Sequence, residues 1–230
     1  MEISMKTIEL LTNKNPRKLD DIAEELASIY IKDFALPPWN EVSKCPQCGV
    51  FSAEGVGTSC VDCATIRQAA YTASELYEGW RYQLEQGDIM ELAYSDGQVT
   101  RATVAGVVRA DELYELKYQD VPVMQSWIAK TLPTEFVYIY DTFADISRQQ
   151  SGNLVDRGST LGRLASAFSG LPITTRTLQP SIIRATVRDL GFATEVYIGS
   201  QKVGLQQAMG AKALGTVPDR RTVLVVEGGL

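Results

Sequence analysis

Four cysteines carry the most specific chemistry in this chain. Cys45 and Cys48 are separated by two residues, as are Cys60 and Cys63, and eleven residues lie between the two pairs. Each C-x-x-C turn aims two thiolates at one point, and two such turns complete a tetrahedron around Zn²⁺. Gly49, directly after Cys48, permits the tight backbone that such a turn demands. Four thiolates leave no open coordination position, so the predicted zinc site is structural. The turn Cys45-Pro46-x-Cys48-Gly49 would serve iron in an electron-transfer site equally well, and a pair of disulfides is the remaining reading. The segment between the pairs contains Gly55 and Gly57 and is too short to pack alone. Metal would then supply most of its folding free energy, on the order of 10 kcal/mol. Beyond Lys44 and Arg67 little basic charge accompanies the cysteines, which argues against a nucleic-acid-binding ribbon.

What the sequence lacks is equally restrictive. It contains no histidine. That excludes Ser-His-Asp and Cys-His nucleophile systems and all histidine-ligated metal centres. A general base here must be a carboxylate, a tyrosine, a cysteine, a lysine or a water. The formal net charge of −6 argues against a general binder of the phosphate backbone and leaves room for a local basic patch. It suits a basic acceptor such as an amine. The start, MEISMKTIELL, lacks a basic stretch followed by a long apolar run, and no segment has the roughly 18 to 20 apolar residues of a membrane span. The expectation is a soluble, cytoplasmic protein with no membrane contact, in which paired cysteines hold metal. With 230 residues, 45% of them hydrophobic, the chain can build one large domain, or one domain and a small module.

The second informative region follows the strand-like EFVYIYD of residues 135–141. There Val155-Asp156-Arg157-Gly158-Ser159-Thr160-Leu161-Gly162-Arg163-Leu164 leads into a helical pattern. Backbone N–H groups at a helix start, left open by small residues, form an anion nest suited to a pyrophosphate. The segment has neither the spacing nor the lysine of a Walker A loop, and no G-x-G-x-x-G. On motif strength alone a plain glycine-containing loop is an equal reading.

These segments, in their order, resemble the GNAT superfamily of N-acetyltransferases. RGSTLGRL looks like its pyrophosphate loop, usually Q/R-x-x-G-x-G/A. Arg157 and Gly162 match the ends, and Thr160 replaces the first glycine. A rival register, Gln149 to Leu154, keeps the first glycine and loses the last. The first register is favoured because Leu161, Leu164, Ala165 and Phe168 continue a helical face behind it. LPITTRTLQPSIIRATVRDLGF resembles the strand, helix and Leu-Gly-Phe that close many GNAT cofactor sites, with Gln179-Pro180 where Asn-Pro is common. IYIKDFALPPWNE resembles the first helix and the turn framing the acceptor entrance. The resemblance covers residues 5–41 and 88–230.

The resemblance implies direct attack of an amine on the thioester of acetyl-CoA. It implies that Thr142, Phe143 and Ala144 contact pantetheine. Arg157, Gly158, Ser159, Thr160, Leu161, Gly162 and Arg163 would hold the pyrophosphate, with Gln179 also on the cofactor. Asp141 stands near the family's acidic base, although a satisfied or solvated aspartate is the plainer reading. The family's usual tyrosine acid is replaced by Val187, which leaves Tyr138, Tyr140 and Tyr197 as candidates. Many members work with little help from side chains, since positioning supplies much of the rate.

The elements that must position these residues follow from periodicity and breakers. Residues 5–12 read as a strand and 16–33 as a helix, with Leu19, Ile22, Ala23, Leu26, Ile29 and Tyr30 on one face. FALPPWNE turns the chain. A helix is expected over 65–86, then strands 89–94 and 99–109 joined by Asp96-Gly97 in a type I′ turn. A short helix over 121–130, a strand over 172–177, a helix over 181–190 stopped by Gly191, and strands over 192–198 and 221–227 complete the order. Residues 199–218 read as loop. Alternation of this kind predicts an α/β (α+β) fold: a mixed, mostly antiparallel central sheet flanked by helices, GNAT-like, with a small zinc-binding insertion. In this division residues 1–41 begin the GNAT-like domain, 42–87 are the zinc knuckle and its following helix, and 88–230 complete the domain with the acyl-CoA site. The expected partners are acetyl-CoA and an amine acceptor, with a homodimer left open. The rival function is a degenerate fold that binds protein or nucleic acid through its zinc knuckle.

Overall fold

A computed structural model describes residues 6–37, 39–117, 134–145, 160, 162–164, 166–169, 171, 173–177, 194–198, 201–202 and 222–226. The chain forms two compact units. The first comprises residues 1–104 and 141–149, the second 105–140 and 150–230.

In the first unit, strand β1 (Lys6–Leu11) pairs antiparallel with β5 (Ile89–Ser95), in register from Lys6↔Ser95 to Leu11↔Met90. β5 returns as β6 (Gln98–Arg109) through the two-residue turn foreseen in the sequence. Asp96 and Gly97 both take positive φ, 53° and 78°, which is the conformation a type I′ turn requires. Helix α1 (Arg17–Phe34) buries Leu19, Leu26, Ala27, Ile29, Tyr30 and Phe34, the face that the three-and-four spacing marks out. Helix α2 (Ala73–Glu85) buries Leu76, Trp80 and Leu84.

α2 starts eight residues later than the expected Thr65, because Gln68–Ala69 are used as strand β4. β4 and β3 (Phe51–Ser52) pair on either side of β2 (Ser43–Lys44), in a separate three-stranded sheet that encloses the cysteines. The helix therefore begins at Thr72, which makes a reciprocal capping box with Glu75. Its local sequence favours helix from Thr65 onward, but the small sheet takes the first residues.

Strand β7 (Glu135–Ala144) runs through both units. Its last residues belong to the first unit, where Asp145 N–H donates to Thr100 of β6. There Phe143 is buried against Tyr30 of α1 and Trp80 of α2, with ring centroids 5.0 and 5.6 Å apart. Both helices thus cover one face of the strand end.

In the second unit β7 pairs in parallel with β8 (Ile173–Thr177), from Val137↔Ile173 to Ile139↔Thr175. Beyond that register β7 runs on as Tyr140–Ala144. The remaining pairs are antiparallel: β8 with β11 (Thr222–Val226), β11 with β9 (Thr194–Ile198), and β9 with β10 (Gln201–Lys202). β10 falls in the stretch read as loop. Helix α3 (Ala110–Lys117) directly follows β6 and was not expected. The expected helices over 121–130 and 181–190 lie outside the described residues. The sheet is mixed and mostly antiparallel, flanked by helices, as the sequence reading has it.

Candidate functional site

The two C-x-x-C turns fold as copies of one another. In the first, Cys45 N–H donates to Val50 and Gly49 N–H to the Cys45 carbonyl, at 3.0 and 2.9 Å. In the second, Cys60 N–H donates to Thr65 and Ala64 N–H to the Cys60 carbonyl, at 2.9 and 2.8 Å. The residue after each second cysteine is left-handed: Gly49 at φ 73° and Ala64 at φ 59°. Glycine adopts this freely, whereas alanine does so at a cost of roughly 1–2 kcal/mol. The sequence reading picked out Gly49; its counterpart carries no glycine to signal it.

The four sulfurs lie within 4.8 Å of one another. Cys45 and Cys63 approach to 3.3 Å, Cys48 and Cys60 to 3.6 Å, and Cys63 and Cys48 to 4.0 Å. A tetrahedron with Zn–S bonds of 2.3 Å has edges of about 3.8 Å, so the cluster is already near the size of a zinc cage. None of the four is in a disulfide. Backbone N–H groups point at the sulfurs. Cys48 N–H, then the Cys63 thiol and Gln47 N–H, hold the Cys45 thiol below its ordinary value against the opposing effect of burial, while the Cys45 thiol and burial push Cys48 up against the bond from Val50 N–H. Such donors favour the thiolate form that metal binding needs.

Arg67 completes the centre. It is only 3% exposed. Its Nη2 donates to Cys60 Sγ at 3.6 Å and its Nη1 to the Val50 carbonyl at 3.0 Å, so one guanidinium joins both turns. Its Nε lacks a hydrogen-bond partner and lies 3.9 Å from Glu54 Oε2. A buried cation needs a counter-charge. Four thiolates around one divalent ion supply it, whereas four neutral thiols do not. The donor set, the spacing and this charge all fit Zn²⁺ held by Cys45, Cys48, Cys60 and Cys63. From sequence, Arg67 read as ordinary charge within the insert.

Glu41 and Tyr71 flank the small sheet where the chain enters and leaves it. Glu41 N–H donates to Phe34, Val42 N–H to Ser52, and Ala70 N–H to Val42. This brings the Tyr71 hydroxyl onto the Glu41 carboxylate, to which it donates. Tyr71 also stacks on Phe51 of β3 and meets Tyr30 edge-on, at 5.7 and 5.0 Å between centroids. Burial first, and the Glu41 carboxylate second, push the Tyr71 hydroxyl far above its ordinary value. Burial, then the charge of Asp141, does the same to Tyr30. Neither Glu41 nor Tyr71 was singled out from sequence. They lie thirty residues apart and meet because the small cysteine-bearing sheet closes between them.

The residues expected along the acyl donor are placed in part. Asp141 is half-buried, and its charge acts on Tyr30 and Tyr71. The Thr142 hydroxyl lies 3.4 Å from that of Thr103. Phe143 turns its ring into the core, and Ala144 N–H donates to Asp33 Oδ2 at 3.0 Å. Thr160 is buried, with helical backbone, and accepts from Arg163 Nη2 at 3.3 Å. The Gly162 carbonyl accepts from Ser166 Oγ at 2.9 Å. Arg157, Gly158, Ser159, Leu161 and Gln179 lie outside the described residues, as do the rival register and Val187. Among the described residues no helix is long and apolar enough to cross a membrane.

No family model matches the chain, and no curated protein matches it by sequence. Solved structures do match over nearly its whole length. The polyamine N-acetyltransferase of Drosophila melanogaster, which forms N-acetylagmatine, is 10% identical, with a TM-score of 0.52 over 96% of this chain and 98% of that one. A putative arylalkylamine N-acetyltransferase of the yellow fever mosquito is 11% identical, with a TM-score of 0.55 over 96% and 86%. A GNAT superfamily phosphinothricin acetyltransferase from Sinorhizobium meliloti, in complex with AcCoA, is 13% identical, with a TM-score of 0.50 over 97% and 88%. With its mixed sheet, its parallel β7–β8 pair and these neighbours, the chain has the fold of the GNAT acetyltransferases.

Proposed function

We propose that this chain is an acyl-CoA-dependent N-acyltransferase that moves an acetyl group from acetyl-CoA to an amine by direct attack, with a structural zinc centre beside the acceptor. The observation that carries this reading is the near-complete match to GNAT structures around a parallel β7–β8 pair, beyond which β7 continues as Tyr140–Ala144. In this reading the thioester lies along Thr142, Phe143 and Ala144. Since Phe143 is buried and Ala144 N–H is held by Asp33, their contact is through the remaining backbone groups. Residues 157–163 receive the pyrophosphate, Gln179 is a further contact to the cofactor, and Asp141 stands where the family places its acidic base. A net charge of −6 and neighbours that act on agmatine and arylalkylamines both favour a basic acceptor.

Zinc supplies rigidity to the segment around residues 44–68 when bound; with four thiolate ligands it offers the substrate no open position. Exposed Val50, Val56, Val61 and Ile66 on that module favour a second reading, in which the fold has lost catalysis and the module holds a protein. Calorimetry with acetyl-CoA, and thiol release with agmatine, tryptamine and phosphinothricin as acceptors, separate the two. The enzyme binds acetyl-CoA at micromolar concentration and releases CoA in the presence of at least one amine. No heat at millimolar acetyl-CoA would sink the enzyme reading.

A further inference from the structure

Exposure divides the four cysteines into two kinds. Cys48 is exposed and Cys63 half-buried, whereas Cys45 and Cys60 are sealed from water, at 0% and 2% exposure. Each outer sulfur lies against a sealed one of the opposite turn. Cys48 is 3.6 Å from Cys60, and Cys63 is 3.3 Å from Cys45. A disulfide brings its sulfurs to about 2.05 Å, so either pair closes with a sulfur movement of roughly 1.2 to 1.6 Å. Reactivity of a thiolate toward oxidants follows its access to solvent, and here each accessible sulfur has a second one waiting behind it.

Resting on the zinc reading and not on acyl transfer, we propose that this centre is also a site of oxidative modification, where hydrogen peroxide turns the four thiolates into two disulfides, Cys48–Cys60 and Cys45–Cys63. The Cys48 thiolate attacks a peroxide oxygen. The O–O bond breaks, hydroxide leaves and takes a proton from solvent, and the sulfur, oxidised by two electrons, becomes a sulfenic acid. The Cys60 thiolate attacks that sulfur. The S–S bond forms as the S–O bond breaks, and the oxygen leaves as water on taking a second proton. A second peroxide oxidises Cys63, which Cys45 resolves in the same way. Two peroxides thus consume four thiolates and four protons and yield two disulfides and four waters. The donor set for zinc is then gone. Both new bonds cross from one turn to the other, over 12 and 18 residues, and so close covalently the loops that the metal closed. The small sheet and the Tyr71–Glu41 contact outlast the metal. Arg67 sets the way back. A disulfide sulfur carries no charge, so the buried guanidinium loses the counter-charge of Cys60 and is left facing Glu54, 3.9 Å from its Nε. That favours the reduced form and makes the change reversible.

The test takes the full chain with zinc bound and adds hydrogen peroxide in steps. Released zinc is read with a chromophoric chelator too weak to strip the reduced protein, and the two disulfides require two peroxides per zinc. Proteolysis after Glu54 parts Cys45 and Cys48 from Cys60 and Cys63, and a further cut at Asp62 parts Cys60 from Cys63. The oxidised protein is expected to give fragments that stay joined until reduced. With one equivalent of peroxide, the Cys60 fragment is joined and the Cys63 fragment is free. Residues 44–70 keep their protection from hydrogen exchange after oxidation, whereas chelation of the reduced protein removes it. Glutathione with added zinc restores the metal. Disulfides within each C-x-x-C turn, which leave the fragments separate, overturn the proposal. So do a first bond to Cys63, sulfinic acids in place of disulfides, zinc retained under excess peroxide, or protection lost as completely as on chelation. A reduced protein that holds no zinc removes the metal reading together with this proposal, and acetyl-CoA binding stands apart from all of these results.

Discussion

Arg67 shows how a single side chain reports the charge state of its neighbours. Its guanidinium is nearly sealed from water, with one arm on a sulfur and one on a carbonyl of the opposite turn. Replacing it with methionine keeps much of the volume and removes both bonds and the charge. Partners one shell out from a metal typically change affinity 10- to 100-fold. Arg67→Met is therefore expected to lose zinc to a chromophoric chelator at roughly tenfold lower chelator concentration. Identical chelator curves for the two proteins would show that the guanidinium is only a packing element. The clustering of the cysteines was legible because their paired spacing is visible in the sequence itself. Arg67, Glu41 and Tyr71 were not, because nothing local distinguishes a buried arginine or glutamate from a solvated one. The partner that makes burial tolerable lies many residues away. The same holds for Glu91 and Arg101, a buried pair at 3.3 Å on β5 and β6 that the strand pattern alone conceals.

At the scale of elements, α1 and the strands of the large sheet other than β10 followed from local patterning, since their apolar faces and turn residues agree with the tertiary structure, whereas the short strands of the cysteine sheet did not. The start of α2 did not. Thr65 to Thr72 has acceptable helix formers, yet closure of the cysteine centre draws Gln68–Ala69 into β4 opposite Ser43–Lys44. The cap then falls on Thr72, whose hydroxyl accepts from Glu75 N–H at 3.2 Å while the Glu75 carboxylate accepts from Thr72 N–H at 3.0 Å. The Thr72 hydroxyl, and then its N–H, hold the Glu75 carboxyl below its ordinary value. A carboxylate lowered on folding stabilises the fold above its unfolded value, about 4.3, and that contribution is lost as pH falls through the folded value. Thr72→Ala is expected to cost about 1 kcal/mol at neutral pH. The difference from the parent narrows as urea denaturation is repeated below pH 4. A penalty that stayed constant with pH would mean that the backbone bond from Glu75 N–H carries the cap and the carboxylate adds nothing.

At the scale of the whole molecule, a metal held by the four cysteines would stabilise only part of the first unit. The apolar core of the first unit is built from Leu11, Leu19, Leu26, Trp80, Leu84, Met90 and Leu92, which come from β1, α1, α2 and β5 rather than from the cysteine segment. That segment carries Val50, Val56, Val61 and Ile66 exposed, so it has little apolar burial of its own to keep it folded. Chelation should therefore melt residues 44–68 while leaving β1, α1, β5 and most of α2 in place. The boundary is the Glu41–Tyr71 junction, where Phe51 stacks on Tyr71 and the entering and leaving strands pair. Hydrogen exchange before and after chelation is expected to show lost protection across 44–70 and retained protection in 19–34 and 76–95. Four thiols per chain become reactive, and Tm falls by roughly 10 °C, the scale of several kcal/mol in a chain of this size. Loss of protection throughout the first unit would mean that the metal holds the whole core. Unchanged protection in 44–70 would mean that the small sheet stands without it. If the junction loosens as expected, the Tyr71–Glu41 contact loosens with it. On the acyltransfer reading proposed above, acetyl-CoA binding survives chelation, since Thr142, Phe143 and Ala144 lie outside the cysteine segment.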